Sequence, residues 1–373
     1  MTTDIAAGLL PEGLRDRLPP QAEAAATLLR GLLDSVGRHG YERVQPPLVE
    51  YEEGLAGRLG TTTRQELLRF VDPTSQHTLA LRPDMTGQIG RIAATRLAHY
   101  ARPLRLAYGG PVLRVKGSQL RPEREAMQMG AELIGRDSVA AVGEILAVAV
   151  EALTGAGLDR LTIDITLPSL VADLAAGPWP LAADRLAEVG ALLDGKDVAG
   201  LRAAGAAHYE PLIAAAGDAT TALASLRALD LGPAIAARLT DAAAVVAALG
   251  SAHAVTLDPT ERHGFDYQRW IGFSFFADGV RGEVGRGGAY SVVHPDGACE
   301  PAVGFSLYVD GLVDVGLGIT PARRVLLPFG TADEAGSTLR KAGWSTVAAL
   351  DPVAEPRAFR CTHVWNGVDA VPI

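Results

Sequence analysis

The sequence predicts an α+β architecture, and three changes along the chain predict it. Up to about residue 157, helical and strand patterns alternate under firm Gly and Pro punctuation. Residues 167–258 then turn rich in Ala and Leu, poor in aromatics and helical in period, which reads as an inserted helical bundle. Strand character returns at 271–276, and a smaller strand–helix–strand pattern closes the chain. The expected organisation is a core at 1–320 with the helical insertion 167–258 inside it, followed by a short α/β module at 321–373.

Taken in order, Gln21–Arg38 is expected to be an amphipathic helix ended by Gly40, since glycine readily takes the left-handed conformation that closes helices. Residues 41–49 are expected to be extended around Pro46-Pro47, a pair that reads as strand-edge punctuation. Segments 79–81 and 104–108 are short strand candidates. After the insertion, 271–276 reads as a strand, the glycine cluster 282–288 as a tight turn between strands, and 303–315 as a strand running into a helix. The closing module begins at Arg323, with strands at 325–327 and 347–350 around a helix at 332–341.

With 373 residues and 48% hydrophobic content, the chain can bury a full core. No apolar run can span a bilayer: the best, 145–150, lies between Glu144 and Glu151. Residues 1–8 carry neither the basic start nor the long apolar segment of a signal peptide. Two cysteines, Cys299 and Cys361, are too few for a zinc site or a disulfide framework, so no metal is expected and a reducing cytoplasm is the expected compartment. The net charge of −9 weighs against a nucleic-acid partner, because grip on phosphate takes a basic face. Lysine occurs only at Lys116, Lys196 and Lys341, and the pair Gly195-Lys196 is followed by Asp197 where a phosphate-binding loop needs Ser or Thr.

Several segments together resemble a known family. The stretch Pro301-Ala302-Val303-Gly304-Phe305-Ser306-Leu307-Tyr308-Val309-Asp310-Gly311-Leu312 resembles the third signature motif of class II aminoacyl-tRNA synthetases, and of histidyl-tRNA synthetase in particular. Leu10 through Asp16 is similar to that family's opening motif, and Gly40-Tyr41-Glu42 with Pro47 through Glu50 to its first motif, which builds the dimer interface. Leu81-Arg82-Pro83-Asp84-Met85-Thr86 resembles the segment that holds the amino group of histidine; Leu113-Arg114 and Gln128 through Gly135 match the second motif. The resemblance implies a mainly antiparallel sheet flanked by helices and a homodimer.

Departures from the pattern are as informative. Lys116 stands where a carboxylate helps to hold adenine, while His263, Ala289 and Gly311 stand where the synthetase has arginines. Cations around the developing charge carry phosphoryl-transfer chemistry, so their loss implies that adenylate formation is gone. Only about fifty residues follow Arg323, too few for an anticodon-binding domain of about one hundred. This combination resembles the regulatory subunit family of ATP phosphoribosyltransferase. That resemblance implies a non-catalytic chain without cofactor, a short-form catalytic subunit as partner, a homodimer core in a hetero-oligomer, and histidine as feedback effector. The rival readings are an active amino-acid-adenylating enzyme of the histidyl-tRNA synthetase type and a dimeric scaffold without a ligand.

By the same resemblance, the candidate histidine-binding residues are Asp84, Thr86, Arg114, Gln128, Glu132, Tyr267 and Tyr290. Asp84 and Thr86 would hold the ammonium, Glu132 the imidazole, and Arg114 with Gln128 the carboxylate, for which a guanidinium fork is suited. Each has a plainer reading: Arg114 in a structural ion pair, Gln128 and Glu132 in a satisfied core network, Thr86 and Tyr267 as interior residues bonded locally.

Overall fold

In the computed structural model, residues 8–56, 67–117, 121–261 and 268–373 are described, and they fall into two units, Met1–Gly318 and Ile319–Ile373. Local sequence explains the first helix, Gln21–Arg38: Ala24, Ala25, Leu28, Leu32, Leu33 and Val36 recur at helical spacing and are all buried. The chain leaves it through His39 and Gly40, the latter at φ +82°. A second long helix, Val139–Gly155, is capped by the Ser138 hydroxyl, which accepts from the Ala141 N–H at 3.4 Å. Val142, Ile145, Leu146, Ala149 and Leu153 point it into the same core.

These helices lie on a nine-stranded sheet. From one edge its strands run Glu42–Arg43, Leu104–Leu113, Glu125–Ile134, Cys299–Tyr308, Gly285–Val293, Gly272–Ala277, Leu161–Thr166, Ala254–Asp258 and Gly217–Asp218. The pairs Glu42–Arg43 with Leu104–Leu113 and Leu161–Thr166 with Ala254–Asp258 are parallel, and every other neighbouring pair is antiparallel. The architecture is thus α+β, a mixed sheet with an antiparallel centre flanked by helices. The last residues of the stretch expected to be helical, Ala254–Asp258, are a strand instead, and the Ala/Leu-rich block between them and Leu161–Thr166 holds several short helices from Leu170 on, the edge strand Gly217–Asp218 and the 17-residue helix Pro233–Leu249. The glycine cluster also differs from a simple turn. Gly282, at φ +73°, lies before the strand, but Gly285, Gly287 and Gly288 lie within it.

Strand parity divides the sheet's two faces. Met129, Ala131, Leu133, Val303, Phe305 and Leu307 face the core with the two long helices. On the opposite face, Leu106, Tyr108, Ile134, Tyr290 and Ala302 pack with Met85, Ile89 and Ala93 of the helix Thr86–Thr95 and its lead-in. That helix covers only part of the face, and the rest forms a cleft. A separate three-stranded sheet, Val49–Tyr51, Thr78–Leu81 and Arg69–Val71, leaves Leu48, Tyr51, Phe70 and Val71 exposed.

The unit Ile319–Ile373 holds a four-stranded sheet in the order Ser345–Ala348, Arg324–Leu327, His363–Trp365, Ala370–Pro372, the first three parallel. The helix Asp333–Lys341 packs Leu339 against Val325 and Leu327. Strands His363–Trp365 and Ala370–Pro372 escape sequence reading because three residues are too few to show a period.

Candidate functional site

The cleft is built on glycines of three neighbouring strands, Gly130, Gly304 and Gly288. In the ladder, Gly304 pairs with Glu132 on one side and with Gly288 on the other. The Glu132 side chain lies over Gly304, where a Cβ would collide with its carboxylate. In the next row, Gly130 pairs with Ser306 and Ser306 with Arg286, while the Tyr108 ring lies over Gly130, where a Cβ would collide with its hydroxyl end. Glycine is needed here for close approach, not for a turn.

Glu132 is the centre of the site and is 1% exposed. Tyr108 donates to its Oε1 and Tyr290 to its Oε2, both at 2.9 Å. Thr86 Oγ1 and Ser306 Oγ each lie 3.2 Å from the Tyr108 hydroxyl. Burial raises the Glu132 carboxyl to about 8; the Tyr290 and Tyr108 bonds work against burial, and the charge of Asp84 adds to it. The carboxyl thus sits among hydroxyls, without an ion-pair partner among the described residues.

The structure brings some expected residues together and separates others. Thr86, Glu132 and Tyr290 line the cleft. Behind them, Gln128 is fully buried: its Nε2 donates to Asp84 Oδ2 at 2.6 Å and Ser306 Oγ at 2.7 Å, and its Oε1 accepts from the Met85 N–H at 3.2 Å. Asp84 also accepts from the Thr86 N–H at 2.7 Å, which anchors the start of the helix Thr86–Thr95. Arg114 stands farther along, its guanidinium 5.7 Å from the centre of the Tyr308 ring, and it does not line the cleft. Tyr267 and His263 lie outside the described residues.

Four residues of the site are not legible as such in the sequence: Ser306, Gln268 and Arg286, which line the cleft, and Tyr108, which holds Glu132 from behind. Within the lining, Gln268 Nε2 donates to the Gly287 carbonyl at 2.7 Å. The cleft is narrow, with a cavity volume of about 10 Å³, room for about one water. Of the positions where synthetase arginines were expected, Ala289 is fully buried in the helix-side core. Gly311 lies in the helix Val309–Asp314, next to an Asp310 that is held by Arg17 and by the Met127 N–H at 2.6 Å.

The histidyl-tRNA synthetase family model matches residues 13–312. An ATP phosphoribosyltransferase regulatory subunit of Rhodospirillum centenum is 45% identical, covering 96% of this chain and 95% of its own length. The chain belongs to the ATP phosphoribosyltransferase regulatory subunit family. A Gluconobacter oxydans protein of the same name is 37% identical over 98% of each chain.

Solved structures agree on the fold. A Bacillus halodurans C protein described as an ATP phosphoribosyltransferase regulatory subunit/histidyl-tRNA synthetase superimposes with a TM-score of 0.81 at 24% identity, covering 96% of this chain and 97% of that one. A chain of an ATP phosphoribosyl transferase complex from Thermotoga maritima superimposes with a TM-score of 0.60 at 19% identity, covering 76% and 97%. The class II synthetase-like fold is therefore established for this family member. Among the described residues, no helix is long and apolar enough to cross a membrane, and no group of three or more His, Cys, Asp or Glu is placed to hold a metal ion.

Proposed function

We propose that the chain is the non-catalytic, histidine-sensing subunit of an ATP phosphoribosyltransferase in the cytoplasm. It partners a short-form catalytic subunit in the first step of histidine biosynthesis and needs neither nucleic acid nor membrane. The observation that carries this reading is the near full-length likeness to regulatory subunits, joined to a chain with Gly311, Ala289 and His263 at the three arginine positions of the synthetase resemblance. The polar core around Glu132 supports a retained pocket for a small ligand with hydrogen-bonding groups, and an imidazole is such a group.

The test is reconstitution with a short-form transferase. Activity should depend on this chain, histidine should inhibit the complex, and pyrophosphate exchange with histidine and ATP should stay at background. Glu132→Ala should raise the histidine concentration for half-inhibition roughly 10- to 100-fold, the loss expected when a buried polar group of the ligand is left without its hydrogen-bond partner. Inhibition cannot exceed the ligand's differential affinity for the inhibited state, so binding and inhibition should shift together. Unchanged inhibition would place the sensor at the junction with the catalytic subunit; robust exchange would restore the adenylating enzyme.

A homodimer through the first-motif segment belongs to the same reading. The buried Arg82 guanidinium donates to the carbonyls of Pro46 at 2.9 Å and Pro111 at 2.8 Å, and Gln88 Nε2 donates to the Pro47 carbonyl at 2.8 Å. These bonds hold the segment rigid, while Leu48 remains 41% exposed. A two-fold contact meets every substitution twice. The double substitution Leu48→Asp with Val49→Asp should give a monomer or aggregate in light scattering, and an intact dimer would move the interface elsewhere.

A further inference from the structure

The cleft has one basic wall residue among its described lining, Arg286, and it stands across the floor from Glu132. In the ladder Arg286 pairs with Ser306, and Ser306 with Gly130, so its side chain rises on the same face as Glu132, one register row along and two strands over. Strand spacing of about 4.8 Å puts the two backbones on the order of 10 Å apart across the sheet. Glu283 steadies the guanidinium from the side: Arg286 Nε donates to its Oε2 at 2.8 Å and Nη2 to its Oε1. The pair is only about one-fifth exposed, 20% for Arg286 and 17% for Glu283, so it is partly desolvated and close to neutral as a whole, and its pull on an entering carboxylate comes from directed N–H donors rather than from net charge.

The other expected carboxylate holders are less well placed. Gln128 has both ends of its amide committed within the protein, and Arg114 lies beyond Tyr308 rather than on the wall. Resting on the reading of this cleft as a histidine site, we propose that Arg286, oriented by Glu283, binds the α-carboxylate of the ligand and so selects a free amino acid over its carboxyl-blocked forms. An arginine fork shares two oxygens with a carboxylate, and an entering ligand can share or take over contacts that Glu283 makes. Glu132 then reads the ring, Arg286 the carboxylate, and the hydroxyls of Thr86 and Ser306 lie between them.

The test compares histidine with histidinamide by calorimetry on the full chain. Wild type should prefer histidine by about tenfold or more, the scale of a charge-assisted bond left unmade. Arg286→Ala should bring that preference close to one, chiefly by weakening histidine, with the amide changed by no more than about threefold. Arg286→Lys keeps the charge and most of the packing and should retain an intermediate preference, which separates loss of recognition from loss of fold. Glu132→Ala should weaken both ligands alike. A preference kept in Arg286→Ala and Arg286→Lys, while Glu132→Ala still weakens both ligands, would overturn the assignment and leave the cleft standing as the site. Binding insensitive to Glu132 and Arg286 alike would overturn the cleft reading and the assignment with it.

Discussion

Gly304→Ala should cost roughly 2–5 kcal/mol of stability and abolish histidine binding, although it adds a single methyl group. Gly304 sits in the middle of the strand Cys299–Tyr308, hydrogen-bonded on both sides within the sheet. A Cβ there would fall on the Glu132 carboxylate and within 2.7 Å of the Ala131 carbonyl oxygen. Neither can yield cheaply. The carbonyl belongs to a central ladder, and the carboxylate is tied at both oxygens by Tyr108 and Tyr290. If Glu132 swings away, the hydroxyls of Tyr108 and Tyr290 each lose a 2.9 Å bond to a buried carboxyl, and rearranging that network costs on the order of 1–3 kcal/mol. If the strands part instead, the cost is that of overpacking, about 1–3 kcal/mol. The control is Gly31→Ala in the helix Gln21–Arg38, where a Cβ meets nothing within 4 Å. There alanine should be neutral or stabilising by up to about 1 kcal/mol. Urea unfolding of the two variants beside wild type measures the contrast, and a loss below about 1 kcal/mol in Gly304→Ala would show that the cleft floor is looser than its geometry implies.

What could be read in advance follows from the range of the interactions. Gln21–Arg38 is legible because its period and the closing Gly40 are local. The strand Glu125–Ile134 is harder to read from its own residues, since Gln128 and Glu132 stand on a face that is buried yet polar and so break the apolar alternation. Only the resemblance singled them out. Tyr108 and Ser306 look ordinary in the chain; their role comes from register across strands nearly two hundred residues apart in sequence, 198 between them. Arg286 was hidden for the same reason, inside a glycine cluster that suggested a turn. Those glycines are set by what lies above them, namely Phe273 of the neighbouring strand over Gly287 and Gln268, from the segment leading into that strand, over Gly288. Fold class survives such ignorance because it rests on segment types. The site does not, because it is a product of ladder register.

Across pH 5 to 9, the wild-type chain should lose stability that Glu132→Gln keeps. The carboxyl of Glu132 rises from an ordinary 4.5 to about 8 in the folded protein, mainly through burial. Between these values the folded state holds a proton that the unfolded chain has released, so stability falls as pH rises. The fall begins as pH passes the unfolded value near 4.5 and is complete above about 8. Its slope is at most about 1.4 kcal/mol per pH unit, and the whole interval from 4.5 to about 8 is worth on the order of 5 kcal/mol. Glutamine has no such proton to lose, and the hydroxyls of Tyr108 and Tyr290 can turn to meet its amide as donor or acceptor. The variant should therefore match wild type near pH 5 and exceed it near pH 9. Glu144, Glu300 and Asp258 are shifted the other way, held below their ordinary values by Arg105, Arg102 and Lys196 against the opposing pull of burial. Their contributions are present above the unfolded carboxylate range and lost only in acid, so they leave the comparison between wild type and Glu132→Gln untouched over this window. Equal urea midpoints for the two proteins at pH 9 would mean that Glu132 ionises freely in its cleft, with water or a counter-charge reaching it, and that its tyrosine-lined burial does not govern its charge.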